Sequence, residues 1–140
     1  MASLIYNSAL DDVVKGLIDF DTDSFKLMLV TSSYTADKDA HTKRSDVTNE
    51  VTGTGYTSDD AANATTVTVT KDTTNDRIDI DFSNVSWTSA TITAAGGVIY
   101  KSTGTASTDN LVAYLDFGGD VTSTNGTFTV DITSPLRIQN

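Results

Sequence analysis

Three aspartates alternate at Asp19, Asp21 and Asp23, which is the spacing of the first ligands in an EF-hand calcium loop. Such a loop also requires glycine at its sixth position and glutamate at its twelfth. Those positions hold Ser24 and Val30 here, so the pattern fails at both. We therefore expect a solvated turn at this segment rather than a metal site.

The chain has a single histidine, His41, and a Ser or Thr nucleophile would need such a base beside it. No G-x-S-x-G elbow is present to hold a nucleophile. Carboxylate pairs are too abundant to be informative, and Asp79 and Asp81 alternate with isoleucines, as on the solvent face of a strand. The Gly-Thr-Gly run at 53–55 lacks the third glycine of a dinucleotide fingerprint, and there is no P-loop. The sequence thus predicts a protein that is not an enzyme and has no cofactor.

Trp87 and four tyrosines offer either a platform for sugar rings or anchors for a core or an interface. These tyrosines are Tyr34, Tyr56, Tyr100 and Tyr114. Because Tyr100 and Tyr114 fall in well-formed strand patterns, core or interface positions are favoured. A carbohydrate-binding β module remains a second hypothesis.

The overall composition restricts the class of protein. The 140 residues suit one domain, 1–140, and the net charge of −10 disfavours nucleic acid and anionic membranes as partners. Cysteine is absent, so a disulfide framework and a thiolate nucleophile are excluded. No run of apolar residues is long enough to span a bilayer, and the first residues lack the basic region of a secretory signal.

Apolar residues recur every three or four positions near the start of the chain, which predicts a helix over about residues 4–18. Gly16 weakens its last turn. A helix this short is stable when its apolar stripe is buried on its own sheet or on a sister subunit. The stripe residues expected at an interface are Leu10, Val13, Val14 and Leu17. A Val14→Asp change should then cost about 2–4 kcal/mol.

The rest of the chain is predicted to form β-strands. Residues 25–31 are apolar on both faces, which is typical of a strand in the middle of a sheet. Residues 65–71 and 77–82 alternate around a short polar connection and predict a hairpin, with Val67 and Val69 toward the core. Further strands are expected at 50–57, 85–93, 97–102, 110–117 and 127–132, the last one after an Asn-Gly turn at 125–126. About eight antiparallel strands with one short N-terminal helix predict a mainly β, sandwich or jelly-roll-like domain.

A long polar stretch from Ser32 to Thr48 separates two of these strands and shows no periodicity. Loops of this length in a compact domain are commonly functional, disordered or ordered against a neighbour. We therefore expect it to form contacts with partners. Its candidate contact residues are Tyr34, His41, Lys43 and Arg44.

Nearly the whole chain is covered by five stretches: LIYNSALDDVVKGLIDFDTDSFKLMLVTSSYTADKDAH, VTNEVTGTGYT, VTVTKDTTNDRIDIDF, VSWTSATITAAGGVIYK and NLVAYLDFGGDVTSTNGTFTV. In this order they resemble a family of small structural proteins encoded in the virion gene blocks of tailed bacteriophages. The resemblance implies a non-enzymatic particle component, most simply a capsid decoration (cement) protein on the capsid surface, with a tail-associated role as the alternative. Its partners would be the major capsid protein or other virion proteins. Because copies on a particle meet identical neighbours, a symmetric homo-oligomer is also expected.

Overall fold

The computed structural model describes residues 2–133 and 136–140, which form two antiparallel sheets. The larger sheet has five strands in the order β1-β7-β6-β2-β3, and the smaller has the order β4-β5-β8. In chain order the elements are β1 (Leu4–Ile5), α1 (Asn7–Val14), β2 (Phe25–Val30), β3 (Ala64–Thr65), β4 (Val67–Asp72), β5 (Arg77–Phe82), β6 (Val85–Lys101), β7 (Leu111–Val130) and β8 (Leu136–Gln139), with single 3₁₀ turns at Arg44–Asp46 and Ala61–Asn63. The prediction of a mainly β, antiparallel sandwich with one short N-terminal helix is confirmed.

The main core lies between the two sheets. Strand β2 contributes Phe25, Leu27 and Leu29 to it, and these side chains pack with residues such as Phe82 of β5 and Trp87 of β6. Phe25 and Phe82 meet edge to face, with ring centroids 6.1 Å apart. The prediction that this strand is apolar on both faces is confirmed, because Met28 and Val30 of β2 point to the opposite face of the sheet.

A second apolar cluster lies on that opposite face. Met28 and Val30 of β2 belong there to one cluster with Tyr100 of β6 and Tyr114 of β7. Tyr34 and other residues of the 32–48 stretch complete the cluster. The stretch predicted to contact partners forms the outer layer of the fold, since its few apolar side chains cover the five-stranded sheet.

Strands β6 and β7 form one long hairpin, where the sequence predicted four separate strands. The prediction of a turn at Asn125-Gly126 is wrong. Asn125 has a φ of 46° within β7, and its N–H donates to Thr91 Oγ1 at 2.9 Å, so the pair forms an irregularity inside the strand. Gly96 likewise continues β6, because its lack of a side chain lets the Tyr114 ring lie directly against the strand.

The predicted hairpin is confirmed as β4 and β5, which pair from Val67↔Phe82 to Asp72↔Arg77. Val69, however, is exposed rather than directed to the core. The expected strand over 50–57 is reduced to isolated bridges such as Val30↔Glu50 and Thr54↔Thr91. Two glycines in that segment interrupt regular pairing and sit closely against β6.

Helix α1 is half the length that the periodicity predicted. Its first turn is preceded by Leu4–Ile5, which pair with β7 as a strand. It ends in a Schellman motif, in which Gly16 N–H donates to Val13 O at 3.1 Å and Leu17 N–H donates to Asp12 O at 2.8 Å. Gly16 has a φ of 74°, so this glycine is the stop signal of the helix rather than a weak point within it.

Candidate interaction surface on the N-terminal helix

Helix α1 lies against the body of the protein through its smaller and more polar side. Ala9 and Asp12 are buried, and Val13 is half-buried against the main core. Asp12 Oδ2 accepts a hydrogen bond from Asn110 Nδ2 at 2.6 Å. The helix is thus held by a buried polar contact, by the small side chain of Ala9 and by Val13, and its other large apolar residues point elsewhere.

Those larger residues form an exposed stripe, which we call the α1 patch: Leu10, Val14 and Leu17. Their exposed fractions are 53%, 86% and 51%. The expectation that the stripe is buried on the chain's own sheet is therefore wrong for these three residues, because Ala9 and Asp12 occupy that side, whereas Val13 packs partly against the main core. The loss expected for Val14→Asp through intrachain burial is withdrawn for the same reason. Burial against another subunit or another protein stays a prediction.

The surroundings of the α1 patch are mostly acidic. Asp11 is paired with Lys15 at 2.7 Å. Asp19 and Asp21 follow the patch and are exposed, and the backbone N–H of Asp21 is the main cause that lowers the pKa of Asp19. Lys101 Nζ donates to Leu17 O at 2.8 Å and so fixes the carboxyl-terminal end of the patch. The patch is therefore an apolar ridge with negative charge at one end.

The aspartates at 19, 21 and 23 form the solvated turn that was expected. Asp19 accepts the N–H of Asp21 at 2.9 Å, and Asp23 accepts the N–H of Asp19 at 2.8 Å. Across residues 2–133 and 136–140, no three His, Asp or Glu side chains are grouped as metal ligands would be.

His41 and Tyr34 of the outer layer belong to a chain of hydrogen bonds that also includes Tyr6. The Tyr6 and Tyr34 hydroxyls are 2.8 Å apart, and the Tyr34 hydroxyl is 3.0 Å from His41 Nδ1. The Asp37 N–H also donates to His41 Nδ1, at 3.2 Å, so this nitrogen serves as an acceptor. Burial raises the pKa of Tyr6 and of Tyr34. Tyr34 therefore stabilises the fold from inside, which contradicts its expected place on a contact surface.

Arg44 is also an internal residue. Its Nε is 2.6 Å from Asp109 Oδ2, its Nη2 is 3.3 Å from Asp59 Oδ2, and its guanidinium lies 5.1 Å from the centre of the Tyr100 ring. The Asp109 side chain is fully buried. Arg44 thus joins the 32–48 stretch to two other loops, and it is not free to bind a partner.

Lys43 takes part in the same junction through its backbone. It forms an antiparallel bridge with Asn110, next to the buried Asp109. No feature of the sequence pattern marked Asp109, Asn110 or Asp12 as buried, because such polar positions depend on a partner far away in the chain. An Asp-Asn pair directly before a strand is the one local signal that was available.

The aromatic residues do not form an exposed platform. Trp87 is 2% exposed and donates from Nε1 to Asn63 Oδ1 at 2.9 Å, and the four tyrosines weighed with it are buried. The structure therefore gives no support to the sugar-platform reading of these side chains.

No family model, curated protein or solved structure matches this chain. Among the described residues, no helix is both long and apolar enough to cross a membrane.

Proposed function

We propose that this protein is a non-enzymatic structural component of a tailed-phage virion, which binds the assembled capsid and stabilises it. The sequence resemblance supplies the setting. The observation that carries a binding role is the α1 patch, in which three large apolar side chains face outward from a well-anchored helix. Apolar groups exposed in this way are typical of surfaces that become covered on association.

The construction of the chain supports this role. The two apolar clusters use both faces of the central sheet, so the chain is held together by packing without cysteine. Two polar residues that the sequence offers as contact candidates form internal bonds instead: His41 with Tyr34, and Arg44 with Asp109 and Asp59. The net charge of −10 would keep decorated particles apart in solution.

The test is a binding experiment with particles that lack the protein. Purified protein is mixed with particles from a phage strain in which its gene is deleted, and bound copies are located by cryo-electron microscopy. Density at regular positions on the capsid lattice is the expected result. Density restricted to the tail would replace capsid decoration by the tail-associated role, and absence of binding to any part of the particle would reject both.

A further inference from the structure

We infer that the α1 patch is the docking surface and that its partner presents an apolar groove edged by lysine or arginine side chains. The inference deepens the proposed function and rests on it for the setting, since the groove is expected on a capsid protein. The orientation, the rigidity and the charge of this helix support it.

The orientation of α1 leaves large apolar side chains in solvent while a carboxylate of the same helix is buried. An amphipathic helix on a folded domain normally buries its large apolar side chains and exposes its polar ones. Here Ala9 and Asp12 are buried and Val13 is half-buried, while Leu10 and Val14 face solvent. Rotation that buried the valine and leucine would need the Asp12–Asn110 bond to break, so that bond holds the apolar side outward.

The patch is also fixed in place before any partner arrives. At the start of the helix, the Asn7 N–H donates to Lys38 O at 3.0 Å. At its end, the Schellman motif closes on Gly16, and Lys101 bonds to Leu17 O while it pairs with Asp23 at 3.0 Å. A surface ordered in advance loses little conformational entropy when it binds.

Charge decides between a second copy and a different protein. Of the acidic residues near the patch, Asp12 bonds to Asn110, Asp11 pairs with Lys15, and Asp23 pairs with Lys101. Asp19 and Asp21 follow Leu17 closely in the chain and are exposed. A second copy would bring the same carboxylates and another net charge of −10, whereas basic side chains at a groove edge would complement them.

The shape of the α1 patch also favours a partner with a groove over a second copy of this chain. A helix of eight residues with three protruding side chains is a narrow ridge. Two such ridges, placed side by side, cover little area compared with the roughly 800 Å² per partner of a standard interface. A groove surrounds the ridge on both sides, as in other complexes where a helix lies in an apolar groove.

The experiment uses particles that lack the protein and compares wild type with Val14→Asp and Val121→Asp. Val121 is a matched control, since it is an exposed valine on β7, 46% exposed. Wild type and Val121→Asp should bind equally, and Val14→Asp should bind at least about tenfold more weakly. Asp19→Asn combined with Asp21→Asn should reduce the loss of affinity that salt causes, because two charged contacts are removed.

The outcomes distinguish failure of the docking surface from failure of the proposed function. Equal binding by Val14→Asp and wild type overturns the docking surface and leaves the proposed function standing. Absence of binding by wild type rejects the proposed function itself. Sedimentation equilibrium of the free protein covers the remaining case, in which a wild-type oligomer that Val14→Asp dissolves would show that a second copy covers the patch.

Discussion

Single polar side chains hold several loops together, and Arg44 is the clearest case. The buried Asp109 accepts two hydrogen bonds from Thr103, from the backbone N–H at 2.6 Å and from the hydroxyl at 2.7 Å, in addition to its ion pair with Arg44. The pKa of Asp59, which burial would raise, is lowered overall by hydrogen bonds from Tyr100 and Lys26 and by the charge of Arg44. Arg44 therefore neutralises two carboxylates that different loops bring together.

Replacing Arg44 by leucine should destabilise the protein by about 3–5 kcal/mol, because it leaves the Asp109 carboxylate buried without its counter-charge. The measurement is urea unfolding followed by circular dichroism at neutral pH. Lys15→Ala is the control, since its ion pair with Asp11 is largely exposed and screened by solvent, so its loss should change the free energy of unfolding little. Equal, small losses for the two variants would show that the internal ion pair is not a structural requirement.

Arg44 also shows that the partners of a buried polar side chain are not evident from the sequence. The 32–48 stretch is predicted to be a contact loop because it is long, mostly polar and without periodicity. Polar composition does not reveal that Arg44 reaches an aspartate 65 positions later in the chain. Long-range pairing of this kind depends on the topology, so it has no local signature.

Elements were predicted well where the periodicity was regular and poorly where glycine decided the ending. The alternation in β4 and β5 gave the hairpin directly, because a half-buried strand needs a period of two. The Asn-Gly pair at 125–126 has the composition of a tight turn, yet here Asn125 adopts its positive φ inside a continuous strand. Helix α1 was predicted too long because the apolar spacing continues through Leu17 beyond the Schellman motif.

Gly16→Ala should destabilise the protein by about 1–2 kcal/mol, since a φ of 74° strains a residue with a side chain. A Cβ there would meet nothing within 4 Å, so the loss would be due to the backbone alone. Gly126→Ala is the control, because a Cβ at this position has its nearest neighbour at 3.6 Å and the residue has no positive φ.

The stability of both glycine variants is measured by thermal unfolding. A loss of 1 kcal/mol corresponds to a fall in Tm of about 3 °C in a chain of this size. Gly16→Ala should show a fall of about that amount or more, and Gly126→Ala should stay close to wild type. If Gly16→Ala melts at the wild-type temperature, the helix ending does not depend on the left-handed glycine.

At the scale of the whole molecule, the sequence indicated the antiparallel sandwich but not its third layer. The layer made by the 32–48 stretch escaped prediction because its apolar side chains are sparse and irregularly spaced. They matter because they cover Met28 and Val30, the second apolar face of β2. A strand that is apolar on both faces thus implied a cover on each side, but it did not show which segment provides the cover.

The tyrosines connect both layers to the pH dependence of the whole fold. Burial raises the pKa of all five tyrosines: Tyr6, Tyr34, Tyr56, Tyr100 and Tyr114. A raised pKa in the folded state means that the unfolded chain releases protons first, near its ordinary tyrosine value of about 10. The contribution to stability is therefore complete below about pH 10 and is lost as the pH rises above it.

We expect the five tyrosines to ionise together with unfolding when the pH is raised. Tyrosinate absorbance at 295 nm and the circular dichroism of the sheets should change in one cooperative step above about pH 10. Tyr34→Phe should move this step little, because its hydroxyl is one of several buried phenols, whereas in 6 M urea all five should titrate near pH 10 without a step. Gradual ionisation of several tyrosines near pH 10, with the sheet signal intact, would contradict their role as neutral anchors of both faces of the central sheet.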